Sequence, residues 1–116
     1  MRIFKRRHYL KHKELARVLV KAKLEHFNQH YGFKYNRISI RNQRSRWGSC
    51  SKQGNLNFNY RIIFLPPALA DYLIVHELCH LQEFNHSRAF WALVTQTIPH
   101  YQTVRRELKN TGANYF

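Results

Sequence analysis

A chain of 116 residues with 44% hydrophobic and 15% aromatic side chains has material for one modest core and too little for two. Twenty Lys and Arg against six Asp and Glu give a formal charge of +14, which suits polyanionic partners, with nucleic acid reached through the basic surface first among them. Two cysteines, Cys50 and Cys79, exclude a disulfide framework, no run is apolar enough to span a membrane, and the expected compartment is a reducing cytoplasm.

The opening MRIFKRRHYLKHKELARVLVKAK is basic, as a transit peptide is, yet Glu14, Glu25 and recurrent apolar positions read as an ordinary helix. Leu15, Leu19, Ala22 and Phe27 recur near helical spacing, so an amphipathic helix is expected to end near Gly32 and to dock through that stripe. Ile38 and Ile40 alternate with Ser39 and Arg41 in a short strand, and a second extended piece covers Arg44 to Cys50. Lys52 to Asn55 supply a turn, after which Leu56, Phe58, Tyr60 and Ile62 alternate with Asn57, Asn59 and Arg61 in a third strand. Pro66 and Pro67 suit a helix start, because proline lacks the amide hydrogen that would be unpaired there. That helix is expected over Pro67 to Glu83, a further one after His86, and a terminal one from Tyr101 to near Gly112. The expected fold class is therefore α+β. It has an N-terminal basic helix over 1–36, a small three-stranded antiparallel sheet over 37–65, and metal-binding and C-terminal helices over 66–116, in one domain.

Between Leu73 and Leu81 the helix reads LIVHELCHL, apolar on nearly every face, and such a helix is normally central. Two His and a Glu inside it need a reason. An uncompensated buried carboxylate costs several kcal/mol, whereas a divalent cation neutralises Glu77 and satisfies the imidazoles. Residues four apart on a helix lie about 40° apart around the axis and about 6 Å along it, so His76 and His80 can share one Zn2+ ion. Glu77, one step round, can reach a water on the metal without being a ligand and act as catalytic base.

A third protein ligand leaves the fourth position open for water. His86 is the candidate, and since it would lie about 240° round a continued helix, the chain must reverse first. Asn85 tolerates the left-handed backbone that suits such a reversal. Glu83 is the rival ligand, on the face of His76 and His80 if the helix runs on. Cys79 faces away from the line joining the two histidines and reads as a buried packing residue, as do Phe90 and Trp91 at helical spacing. Trp47, Gly48 and Ser49 are candidate substrate-binding residues, on an edge strand able to pair with an extended peptide. An oxyanion donor is not singled out, although His100, Tyr101 and Arg105 are of the right type.

The blocks RSRWGSC at 44–50, the alternating strand, the two prolines, YLIVHELCHL at 72–81 and NHSRAFW at 85–91 occur in this order over roughly residues 37–110. In this the chain resembles the YgjP-like metallopeptidases, to which SprT-like and minigluzincin proteases are related. The resemblance implies a zincin-like α+β domain with His76, His80 and His86 as zinc ligands, Glu77 as base and the Trp47 to Cys50 strand at the rim of the cleft. It also implies a protein or peptide substrate. Metzincins share the His80 to His86 spacing, but they place glycine where Glu83 stands and need a methionine turn, while Met1 is the one methionine here. Two other readings stay open. The same metal site could hydrolyse nucleotides or phosphate esters, drawn by the positive charge, or the chain could be a nucleic-acid-binding module with structural zinc.

Overall fold

The computed structural model describes the backbone of residues 2–112 and 115, and side chains from residue 6. A long helix α1 (Arg2–Tyr31) leads into strands β1 (Arg37–Arg41), β2 (Gly48–Cys50) and β3 (Asn55–Asn59). A 3-10 turn (Tyr60–Phe64) then precedes helices α2 (Pro67–His80), α3 (Arg88–Thr95) and α4 (Tyr101–Gly112).

Helix α1 ends where Gly32 takes a φ of 67°, a conformation glycine reaches without strain. Asn28 closes the turn, its side chain accepting from the Phe33 amide at 2.9 Å and donating to the Phe33 carbonyl at 2.8 Å. The face that docks is Ala16, Val20 and Leu24, each fully buried, with Leu19 and Phe27 half-buried beside it. Leu15 is 60% exposed and Ala22 is exposed, so the apolar stripe expected from the sequence is rotated by about one residue from the one that packs. Apolar residues lie on two adjacent faces of α1, and the partners select between them. Those partners are β1, the 3-10 turn and α2. Tyr9 donates to the Ile40 carbonyl at 3.0 Å, His8 shares a hydrogen bond of 2.8 Å with the Tyr60 hydroxyl, and Lys23 pairs with Asp71 of α2.

The sheet order is β1-β3-β2. β2 and β3 form an antiparallel hairpin with Cys50 opposite Leu56, whereas β1 runs parallel to β3 with Ile38 opposite Leu56 and Ile40 opposite Phe58. The expected all-antiparallel sheet is thus corrected to a mixed one. The cause lies in the loop 42–47, which crosses the end of β3 instead of turning back on β1. Asn59, 1% exposed, holds that crossing: its side-chain amide donates to the Gln43 and Arg46 carbonyls at 2.7 and 3.0 Å, and its backbone amide to Trp47 at 2.8 Å. Its side-chain oxygen also caps the 3-10 turn, accepting from the Arg61 amide at 3.1 Å. β3 therefore stops at Asn59, short of the Ile62 that its alternation suggested.

α2 crosses the centre of the chain, with Leu69, Leu73, Ile74, Val75 and Leu78 buried among the other elements. It ends at His80, three residues before the expected Glu83. The following turn is tightened by bonds from the Leu81 and Gln82 amides to Leu78 and Cys79. No described non-glycine residue has a positive φ, so Asn85 makes no left-handed reversal. Residues 81–87 are long enough to turn the chain with ordinary backbone, and Ser87 caps α3 by accepting from the Phe90 amide at 3.3 Å. Among the described residues no helix is long and apolar enough to cross a membrane.

Candidate metal centre

His76 and His80 leave α2 one turn apart, and the turn after α2 brings His86 against both. The Nε2 atoms of His76 and His80 lie 3.2 Å apart, those of His80 and His86 3.0 Å, and those of His86 and His76 3.2 Å. Nitrogens ~2.0–2.1 Å from one shared cation, at slightly less than tetrahedral angles, stand about this far apart. The donor set fits a small borderline-soft ion such as zinc, with a fourth position left for water. Glu83, the rival ligand, does not join the group. Its backbone carbonyl does, 3.0 Å from His80 Nδ1. A carbonyl only accepts, so Nδ1 of His80 carries the proton and Nε2 presents its lone pair to the cluster. Tyr72, one turn before His76, places its hydroxyl 3.2 Å from His76 Nδ1 and orients that ring in the same way.

Aromatic rings hold the imidazoles. Phe90, fully buried, stacks on His80 with centroids 4.4 Å apart, and Trp91 faces His86 at 5.7 Å. Burial pushes the His76 imidazole down to about 3, helped by His80, His86 and Arg105, and burial likewise lowers His80. Neutral imidazole is the form that ligates.

Glu77, about 100° round α2 from His76 and about 60° from His80, approaches Gly48 of β2 and is 5% exposed. Burial pushes its carboxyl up to about 8, opposed by the positive charge of Arg46. Gly48 explains how a carboxylate fits against a strand: a β-carbon there would lie 3.1 Å from Glu77 Oε2 and 2.9 Å from the Asn57 carbonyl. His76 and Glu77 open onto a cleft of about 930 Å³. Trp47 and Gly48 line one wall, and Gln102, Arg105, Arg106 and Lys109 of α4 line the other. Ser49 does not line it; its hydroxyl accepts from the Asn57 side-chain amide at 3.1 Å. Cys79 is fully buried, with a thiol pushed up to about 12 by burial. The Glu83 carbonyl and the α4 wall had no local signal in the sequence, since each matters only through the element it faces. A tyrosine four residues before the first histidine of HELCH was the one legible clue.

The fold and the site together define a metallopeptidase-type domain. The family model of the YgjP-like metallopeptidase domain matches residues 4–111, and the chain belongs to this family. The match reaches into α1, further than the motif blocks themselves. A solved structure of similar fold is the metallopeptidase zymogen abylysin of Pyrococcus abyssi, with a TM-score of 0.69 at 24% identity over 78% of this chain and 93% of that one. No curated protein matches the sequence. The family implies a metal, and the group that could hold one is His76, His80 and His86.

Proposed function

We propose that this chain is a single zincin-like domain that hydrolyses peptide bonds, with His76, His80 and His86 holding one Zn2+ and Glu77 acting as base. The observation that carries the proposal is the convergence of three imidazole Nε2 atoms within 3.0–3.2 Å beside a buried carboxylate that opens onto the same cleft. Zinc, when bound, supplies a Lewis acid that polarises a carbonyl and acidifies water. Glu77 takes the proton from the attacking water at its carboxylate and returns it to the leaving amine. Gly48 and the buried helix keep that carboxylate in place, and Tyr72 and the Glu83 carbonyl keep His76 and His80 in the ligating orientation. Gly48 opens the edge strand β2 at the rim, suited to pairing with a peptide strand, with Trp47 in the bend before it. The free thiols of Cys50 and Cys79 accord with a reducing cytoplasm.

Glu77→Gln should retain the metal and lose hydrolysis by ~100-fold or more. Unchanged turnover in that variant would remove Glu77 from the mechanism. The cations of the cleft favour a phosphate ester as the second reading. A panel of nucleotides and unfolded proteins separates the two, with phosphate release and no peptide product as the outcome that favours it.

A further inference from the structure

The cleft over His76 and Glu77 carries cations on both walls: Arg44 on the loop side, and Arg105, Arg106 and Lys109 on the α4 side. Successive helical residues turn by ~100°, so Arg105, Lys109, Gln102 and Arg106 share about 100° of arc. Glu107, the one acidic residue of α4, falls about 100° beyond that arc. Of the six acidic residues in the chain, Glu77 alone lines the cleft, while Glu14 and Asp71 are paired with Arg17 and Lys23 of α1. Among the described residues, Arg44, Arg105, Arg106 and Lys109 make no ion pair with a carboxylate.

Arg105 is the best held of the four. Its guanidinium lies 5.0 Å over the ring of Trp91, which is itself stacked on Tyr101 with centroids 4.6 Å apart and planes at 11°. The ring takes the face of the guanidinium and leaves its edge N–H groups for an incoming acceptor. Apolar walls such as Leu73 and Leu108 concentrate the positive field over the floor.

Resting on the peptidase reading above, we propose that this cleft selects peptide segments that carry carboxylates within a few residues of the scissile bond. Arg105 is the inner determinant, and Arg44, Arg106 and Lys109 the outer ones. Single-stranded nucleic acid is disfavoured as the occupant because the Trp91 ring, which would stack on a base, is already covered by Tyr101 and Arg105, while Trp47 meets the Tyr115 ring at an edge-on angle of 68°.

The test is fluorescence anisotropy with zinc-loaded Glu77→Gln protein and three labelled peptides. One is amidated at its C-terminus with Glu flanking an apolar centre, one is its amidated Gln counterpart, and one is the Gln peptide with a free C-terminus. The Glu peptide should bind roughly tenfold tighter than its amidated Gln counterpart, with the advantage shrinking at high salt. Arg105→Gln should abolish the advantage. The double variant Arg106→Gln/Lys109→Gln, on exposed positions that leave Trp91 untouched, should reduce it. Tighter binding of the free-terminus peptide alone supports the same chemistry from a terminal carboxylate. Equal affinity of all three peptides overturns the proposal. So does a single-stranded oligonucleotide that binds tighter than the Glu peptide and loses that affinity in Arg105→Gln. Zinc-loaded wild type that cleaves the Glu and Gln peptides at equal rates removes the selectivity and leaves the peptidase reading standing. Absence of cleavage in every peptide removes both.

Discussion

Gly48→Ala tests how Glu77 is positioned. The added methyl carbon would lie 2.9 Å from the Asn57 carbonyl oxygen, 3.1 Å from Glu77 Oε2 and 3.2 Å from Glu77 Cγ. The first contact is with the backbone of β3 and must open by about 0.5 Å to become ordinary. Either the β2–β3 hairpin spreads or the carboxylate swings toward the cleft. Overpacking of this kind costs about 1–3 kcal/mol, which lowers Tm by roughly 4–12 °C in a chain of this size. A base moved by several tenths of an ångström loses part of its alignment with the attacking water, so kcat should fall ~10–100-fold. The atoms nearest the added carbon belong to Asn57 and Glu77 and not to an imidazole, so zinc content should stay at one ion. Thermal unfolding, zinc content and peptide kcat and KM are measured on the same preparation. Gly32→Ala is the control: its φ of 67° makes alanine strained, but nothing lies within 4 Å of the added carbon, so stability should fall by about 1 kcal/mol with kcat unchanged. Wild-type kcat and Tm in Gly48→Ala would refute the close approach of Glu77 to β2.

Tyr72→Phe removes the hydroxyl beside His76 Nδ1 and should weaken zinc binding about tenfold, as read by competition with a chromophoric chelator; unchanged affinity would remove Tyr72 from the support of the site. Burial disfavours the thiolate and pushes Cys50 up to about 11 and Cys79 up to about 12. Alkylation of the folded chain should therefore be slow at pH 8, where the thiolate fraction of Cys50 is on the order of 0.001, and should rise about tenfold per pH unit until the chain unfolds. Rapid labelling of Cys50 at neutral pH would contradict its half-buried place on β2 near Glu77.

The pair His76 and His80 with Glu77 was legible because its geometry is local. Four residues along a helix bring two side chains together whatever the rest of the chain does, and an apolar helix with a carboxylate inside it calls for a cation. The phase of α1 was less so. Leu15 and Val20 belong to neighbouring stripes of similar apolarity, and only contact with β1, the 3-10 turn and α2 shows that Ala16, Val20 and Leu24 are the buried ones. β1 and β3 were found by their alternation, and β2 as an extended piece over Arg44 to Cys50 of which only Gly48–Cys50 is strand. Neither signal carries a partner, and the mixed order β1-β3-β2 depends on Asn59 holding a loop thirteen to sixteen residues earlier in the chain.

The sequence by itself determined the turn of α2 that brings His76 and His80 together, the proline start of that helix, the glycine end of α1 and the excess of positive charge, all of which follow from residue chemistry and spacing over a few residues. Tertiary structure alone decided the rest. The stop at His80 brings the His86 imidazole, and the carbonyl of Glu83 in place of its carboxylate, to the cluster. The packing of α4 opposite β2 makes the cationic face of that helix one wall of a cleft. The physical reason is the same throughout: contacts between elements far apart in the chain depend on which faces are buried together, and that is set by the whole core at once.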